Sequence, residues 1–323
     1  MKIIKRQEGQ LNLVDIENSI GLKATFCSLG ASIYEIWFND EIMTLTPSSL
    51  SDFAKSKLYH GKTIGAIANR VRDGKIKIND KEYQLFINEG KNALHGGKVC
   101  LSNSTFDEKC EVTDKKVAIT YTYLMKDMRS GLPGDVEYKI IYTIEEDKSD
   151  VKVELFALSN KDTIVALTNH SYFCLGSSNL GELSLTIPAS KYIKPNPADL
   201  LPLSIENVNN ILDFRKNKPI LQDIYDISIQ NGKTKGYDHH FFFDKENSSI
   251  ILENKKYQLA INSSYIGCQI YSDNYPDEIP FKNTKDNMHR GIAIEPQDSI
   301  MEREILKKDT LYQKQIIYSF IKK

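Results

Sequence analysis

VEYKIIYTIEED (136–147) and VKVELFALSN (151–160) alternate apolar and polar side chains and are rich in β-branched and aromatic residues. A period of two puts every second side chain on the same face, so each stretch reads as a strand with one face for a core. VAITYTYLM (117–125) and ELSLTIPASKYI (182–193) repeat the pattern. KIKINDKEYQLFI breaks at Asn79 and Asp80, and SIILENKKYQLAI breaks around Asn254; both read as hairpins, so neighbouring strands are expected to pair antiparallel. Helical signals are few: SLSDFAKSKLYHG, from Ser49, predicts a short capped helix, and KPILQDIYDIS, from Lys218, has an ambiguous pattern. No Gly/Ser linker, low-complexity block or internal repeat offers a boundary at which to cut the chain. The expectation is one all-β domain over residues 1–323: antiparallel sheets facing each other, each strand burying one face, with few short helices.

Composition narrows the partners. Lys and Arg number 42 against 43 Asp and Glu, a formal net charge of −1, so no global field draws the chain to phosphate backbones or anionic lipid. Neither nucleic acid nor a membrane is an expected partner. The five cysteines are scattered, odd in number and without a C-x-x-C pair, which argues against a disulfide framework and a zinc knuckle. The N-terminal MKIIKRQEGQLNLVDIENS has no apolar core of the export type, and no apolar run reaches the ~20 residues of a membrane span. A cytoplasmic protein is expected.

Five stretches carry groups that can do chemistry. In IVALTNHSYF, alternation places Ala166, Thr168, His170 and Tyr172 on one face and Val165, Leu167, Asn169, Ser171 and Phe173 on the other. RGIAIEPQ (290–297) sets Glu295 on the face of Gly291 and Ala293, with room in front of its carboxylate, and Pro296 suits a strand end opening onto a cleft. AIANRVRDG puts Asn69 and Arg70 before a turn, NALHGGK puts His95 before Gly96 and Gly97, and KGYDHHFFF puts Asp238 beside two histidines. Singly, each has a plainer reading: a satisfied half-buried His170, a rim carboxylate at Glu295, a surface ion pair at Arg70, a turn residue at His95, an Asx turn at Asp238.

Taken together and in order, ANRV, LHGG, TNHSYF, GYDH and AIEPQ resemble the motif series of the galactose mutarotases, the aldose 1-epimerases, across nearly the whole chain. The resemblance implies a galactose-mutarotase-like β-supersandwich, an isomerase acting on free aldoses such as galactose and glucose, and neither a metal nor an organic cofactor. It makes His170 the general acid and Glu295 the general base, with Asn69, Arg70, His95, Asp238 and Gln269, the last from SYIGCQIYSDN, binding sugar hydroxyls; Tyr172 is expected as a further sugar-facing neighbour. Cys174 stands where an Asn is usual and Pro296 where many members have Thr. Ser263, Ser264 and Tyr265 replace a Thr-rich lead-in to Gln269, and SGLPGD (130–135) lacks the acidic residues that often precede the family's Pro-Gly turn. None of these departures removes an acid, a base or a sugar ligand.

The chemistry suits the residue types. Interconverting the anomers of a cyclic aldose removes the proton of the C1 hydroxyl while the ring oxygen gains one, so two groups of opposite protonation must flank C1. Histidine, near 6.5, and glutamate, near 4.3, can supply them, and positioned acids and bases contribute about 10²- to 10⁴-fold each. A neutral sugar then needs directional donors and acceptors, which the remaining candidates cover. The partner expected is a small monosaccharide, and the chain itself a monomer or homodimer. Three other readings share these residues. A hexose-phosphate 1-epimerase would want clustered arginines, whereas Arg6, Arg72, Arg129, Arg215, Arg290 and Arg303 are dispersed. A non-catalytic sugar-binding module would have lost His170 or Glu295. A glycoside hydrolase would need two carboxylates and leave His170 idle.

Overall fold

Val136–Glu145 and Asp150–Ser159 pair antiparallel, Val136 opposite Ser159 and Thr143 opposite Lys152, with alternate residues of both buried. The computed structural model describes residues 1–226, 235–276 and 278–323. Among these, the two strands sit in a nine-stranded sheet, beside a five-stranded sheet built from residues 2–42 and a six-stranded sheet that carries the candidate site. The long C-terminal strand Leu311–Lys322 joins the two halves of the large sheet, pairing with Asp150–Ser159 on one side and Tyr257–Ser263 on the other. One contiguous apolar cluster runs from Val14 in the five-stranded sheet to Phe320 at the C-terminus.

Both expected hairpins form, Lys75–Ile78 with Lys81–Gln84 and Ile250–Glu253 with Tyr257–Ser263. Asn79 takes a left-handed φ of 53° at the first turn, a conformation Asn tolerates better than most residues. Helix Leu50–Lys55 begins where expected, with the Ser49 side chain accepting from the Asp52 N–H at 3.1 Å and so satisfying one orphan donor. The ambiguous stretch from Lys218 is a two-residue strand followed by a short 3₁₀ turn, Ile220–Gln222; its last two residues, 227 and 228, lie outside the described ones.

Two expectations need correction. ELSLTIPASKYI is not one strand: Ser184–Thr186 belongs to the nine-stranded sheet and Lys191–Pro195 to the six-stranded one, because the chain crosses between layers at Pro188. IVALTNHSYF also divides, Thr168–Asn169 pairing with Thr63–Ile64 and Tyr172–Phe173 with Ile292–Gln297. At the switch, Asn169 Oδ1 accepts from the Ser171 N–H and hydroxyl, while its amide donates to Gly61 O at 3.0 Å. Buried backbone that leaves one ladder for another needs such partners. Pro296 is the last residue but one of its strand, opposite Cys268, as expected of a strand end; the Tyr172–Phe173 strand pairs only with Ile292 and Ala293, so a residue without an N–H is tolerated there.

The six-stranded sheet has two unlike faces. Phe173, Ile292, Ile294, Ile270, His239 and Phe241 point into the core, where Phe173 packs on Tyr318 with ring centroids 5.1 Å apart. The opposite face carries Tyr172, Ala293, Tyr271 and Asp238 in one row and Glu295, Gln269 and His240 in the next. Alternation thus turns the polar half of each motif away from the core and towards a common cavity.

Candidate active site

That cavity has a volume of about 150 Å³ and is lined by all eight residues singled out in the sequence: Asn69, Arg70, His95, His170, Tyr172, Asp238, Gln269 and Glu295. A wider concavity of about 440 Å³ lies around Trp37 on the outer face of the five-stranded sheet. Its charges are spent on one another, as in Arg6 with Asp15 at 2.9 Å and Lys23 with Asp40 at 2.9 Å. The smaller cavity is where acid, base and amide groups converge, so it is the candidate site.

Four strands of the sheet supply its floor. The opposite wall comes from turns: Arg70–Val71 pairs with Ala93–Leu94, and Asn69 and His95 flank that pair with left-handed φ of 64° and 53°. Gly96 follows with φ of 89°, and a Cβ there would stand 2.5 Å from Gly65 O, so only glycine lets the chain turn so close to its neighbour. The turn holds His95 in place: its N–H donates to Asn69 O at 3.1 Å, and its Nδ1 accepts from the Asn69 N–H at 3.3 Å. Because Nδ1 is the acceptor, the neutral ring carries its proton on Nε2 and serves as a donor.

His170 Nε2 lies 3.4 Å from Glu295 Oε1. The rings of His95 and His170 meet edge to face at 5.3 Å, with Tyr59 at 4.8 Å from His95 and Tyr172 at 5.1 Å from His170. Burial lowers His170 from its ordinary value to about 4. It also pushes Glu295 well above the usual carboxylate range, aided by the charge of Asp238 and opposed by Arg70. Burial holds His95 well below the usual imidazole range, with the charges of His170 and Arg70 acting in the same direction. Burial therefore favours the neutral form of both members of the His170–Glu295 pair. Glu295 Oε2 and His170 Nδ1 find no hydrogen-bond partner among the described residues, although their side chains are only 2% and 5% exposed. A buried polar atom left unpaired costs about 1–3 kcal/mol, so these atoms are ready to engage hydroxyl groups.

The other polar groups form a chain along the floor. Asn69 Nδ2 donates to Gln269 Oε1 at 3.2 Å, Gln269 Nε2 donates to Asp238 Oδ1 at 2.5 Å, and Arg70 Nη1 is 3.6 Å from Asp238 Oδ2. Arg70 also makes a two-pronged ion pair with Glu89, through Nε at 2.7 Å and Nη2 at 2.9 Å. The arginine is thus both the ion-pair member and the pocket residue that its sequence context allows. The space in front of Glu295 is shaped differently from the sequence expectation: Tyr172 packs over Ala293 with Tyr271 beside it, and Gly291 is pressed against Leu45 and Phe173 rather than opening the cleft.

Sequence reasoning missed Tyr59, Glu89, Tyr271 and Tyr275, which also line the cavity. Tyr271 was readable, since it lies two residues beyond Gln269 and so on the same face. Tyr59, Glu89 and Tyr275 sit on irregular segments, where no periodicity assigns a face. His95, His170 and Glu295 have ligand atoms within 4.8 Å of one another, close enough to share a cation. The set fits a metal poorly, because Nδ1 of His95 is taken by the Asn69 N–H and Nε2 bears the proton.

The aldose 1-epimerase family profile matches residues 12–319. The aldose 1-epimerase of Haemophilus influenzae is 28% identical over 298 residues, covering 88% of this chain and 86% of that protein. Human galactose mutarotase is 28% identical over 263 residues, covering 78% of this chain and 73% of its own. Among solved structures, the galactose 1-epimerase of Lactobacillus acidophilus NCFM superposes with a TM-score of 0.89 at 24% identity, covering 99% of this chain and 98% of that one. An aldose epimerase homologue from C. elegans gives 0.82 at 24% identity, covering 95% and 98%. At that identity the two structures speak to the fold, and the fold is the galactose-mutarotase β-supersandwich.

Proposed function

The chain belongs to the aldose 1-epimerase family, and from that premise we propose that it interconverts the α and β anomers of free aldoses such as galactose and glucose by proton transfer at His170 and Glu295. It is a carbohydrate-acting isomerase whose substrate is a sugar. The observation that supports this site is the 3.4 Å contact between an imidazole and a carboxyl, both buried in a cavity otherwise lined by sugar-compatible donors, acceptors and tyrosine rings.

In the reaction, Glu295 takes the proton of the C1 hydroxyl while His170 gives one to the ring oxygen; the bond from C1 to the ring oxygen breaks and an open-chain aldehyde forms. Rotation about C1–C2 presents the other carbonyl face. Closure reverses both transfers, so the pair ends as it began and no proton is exchanged with solvent. The form in which His170 is charged and Glu295 ionised contains the same single proton as the neutral pair that burial favours. A sugar that brings hydroxyl dipoles to both groups stabilises the charged form without a change in proton count. Asn69, Arg70, His95, Asp238 and Gln269 hold the hydroxyls, with His95 as an Nε2–H donor, and Tyr172 packs against the ring.

The acting unit in this reading is the whole 1–323 chain as one domain, a monomer or homodimer working in the cytoplasm. Among the described residues no helix is long and apolar enough to cross a membrane. The test is polarimetry of freshly dissolved α-D-galactose, α-D-glucose and a pentose. Faster decay to an unchanged final rotation is expected; no acceleration by folded protein with any free sugar would sink the assignment.

A further inference from the structure

We infer that Glu89 sets the charge selectivity of the cavity: by engaging Arg70 it leaves a site for uncharged aldoses and turns away sugars that carry an anion. The inference rests on the reading of the cavity as a sugar site.

Among the described residues Arg70 is the one arginine lining the cavity, and its fork is already committed. Nε and Nη2 donate to the two oxygens of Glu89 at 2.7 and 2.9 Å, and Nη1 faces Asp238 Oδ2 at 3.6 Å. The nearest alternatives are turned elsewhere. Arg303 Nη2 donates to the carbonyls of Ala68 and Arg70 at 3.2 and 3.0 Å, and Arg72 faces Asp199 at 3.7 Å. Arg70 and the exposed Lys57 are balanced by Glu89 and Asp238, and the His170–Glu295 pair, in the neutral form that burial favours, adds no net charge.

A carboxylate or phosphate entering this cavity meets no free bidentate donor among the described residues and must lie beside Asp238 and Glu89, or displace Glu89 from Arg70. Lys57 offers only a solvent-screened charge at the rim. An uncharged hydroxyl faces none of these penalties. Glu89 is therefore a specificity-determining residue acting through Arg70. Its side chain is 36% exposed, so exchanging its carboxylate for an amide of the same size is not expected to disturb the core.

The experiment measures binding calorimetrically for galactose, galacturonic acid and galactose 6-phosphate, in the wild type and in Glu89→Gln, Glu89→Asp and Lys57→Gln. The wild type should prefer the neutral sugar. Glu89→Gln should narrow the gap to the anions by about tenfold or more at low salt, with the effect shrinking at high salt as charge is screened. Glu89→Asp, which keeps the carboxylate, should restore the gap, and Lys57→Gln should widen it only slightly. A gap unchanged in Glu89→Gln, or a wild type that binds all three sugars alike, overturns the inference. Polarimetry on galactose with the wild type runs alongside and tests the epimerase reading separately: loss of that reading leaves the binding comparison intact as a test of Glu89.

Discussion

At the scale of single residues, the roles proposed for His170 and Glu295 are separable from those of their neighbours. Glu295→Gln keeps the shape of the side chain and removes the proposed base, so turnover should fall by about 10²- to 10⁴-fold while the urea midpoint stays within the range of the wild type. His170→Asn should lose turnover to a similar degree. His95→Asn removes a donor that the Asn69 backbone fixes in one tautomer, so it should raise KM as well as lower kcat. Steady-state polarimetry distinguishes these patterns, and near wild-type turnover in Glu295→Gln would refute the base assignment. The eight candidates were readable because their stretches, taken in order, resemble the family's motif series, which alone supplied Gln269, and the cavity lined by all eight is what links stretches as far apart as Asn69 and Glu295. Glu89 was not readable: its bond to Arg70 spans 19 residues of turn and loop, and no local pattern distinguishes it from any other surface acid.

At the scale of elements, alternation identified strands such as Val136–Glu145 and Asp150–Ser159, which stay in one sheet, and failed where the chain changes sheets. Val136–Glu145 keeps a regular in–out pattern over its full length. Residues 182–193 keep a similar composition, yet their two halves lie in different sheets, because periodicity reports which face is buried and not against which layer. Nor can it show that Leu311–Lys322 inserts between strands that begin at Asp150 and Tyr257; that pairing depends on contacts far apart in sequence. This strand gives a direct test of its own alternation. Ile316 is fully buried, with 0% exposure, and Ile317, next to it, faces the other way and is half-buried. Ile316→Ala should cost about 2–5 kcal/mol through lost burial and the cavity left behind, whereas Ile317→Ala should cost less than half as much. Urea unfolding of the two variants, with galactose turnover retained in both, is the measurement; equal costs would mean that the strand's register is wrong.

At the scale of the whole molecule, the burial that prepares the site also makes the fold sensitive to acid. All six histidines are interior, and burial holds His60, His95, His170, His239 and His240 below the ordinary imidazole range. His170 and His239 are lowered to about 4 and His240 to about 3, all by burial. His60 and His95 lie well below the ordinary value, again chiefly through burial. In the unfolded chain these rings take up protons as pH falls through about 6.5, while the folded protein refuses them until the pH is lower still. Stability is therefore fully present above pH 6.5 and is lost as pH falls towards 4. Burial raises three carboxyls, Glu108, Asp273 and Glu295, and these act in the opposite sense. Five imidazoles against three carboxyls leave a loss of stability on acidification as the net direction. Urea unfolding at neutral pH and at two acidic points above pH 4.5 should show this decline, and stability that is flat or rising over the interval would contradict it. His239→Phe refines the test, because that ring faces the core and not the cavity. Replacing it removes one of the five proton sites and should reduce the slope by about 1.4 kcal/mol per pH unit, an effect that a loss of packing alone would not produce, since packing shifts the whole curve without changing its dependence on pH.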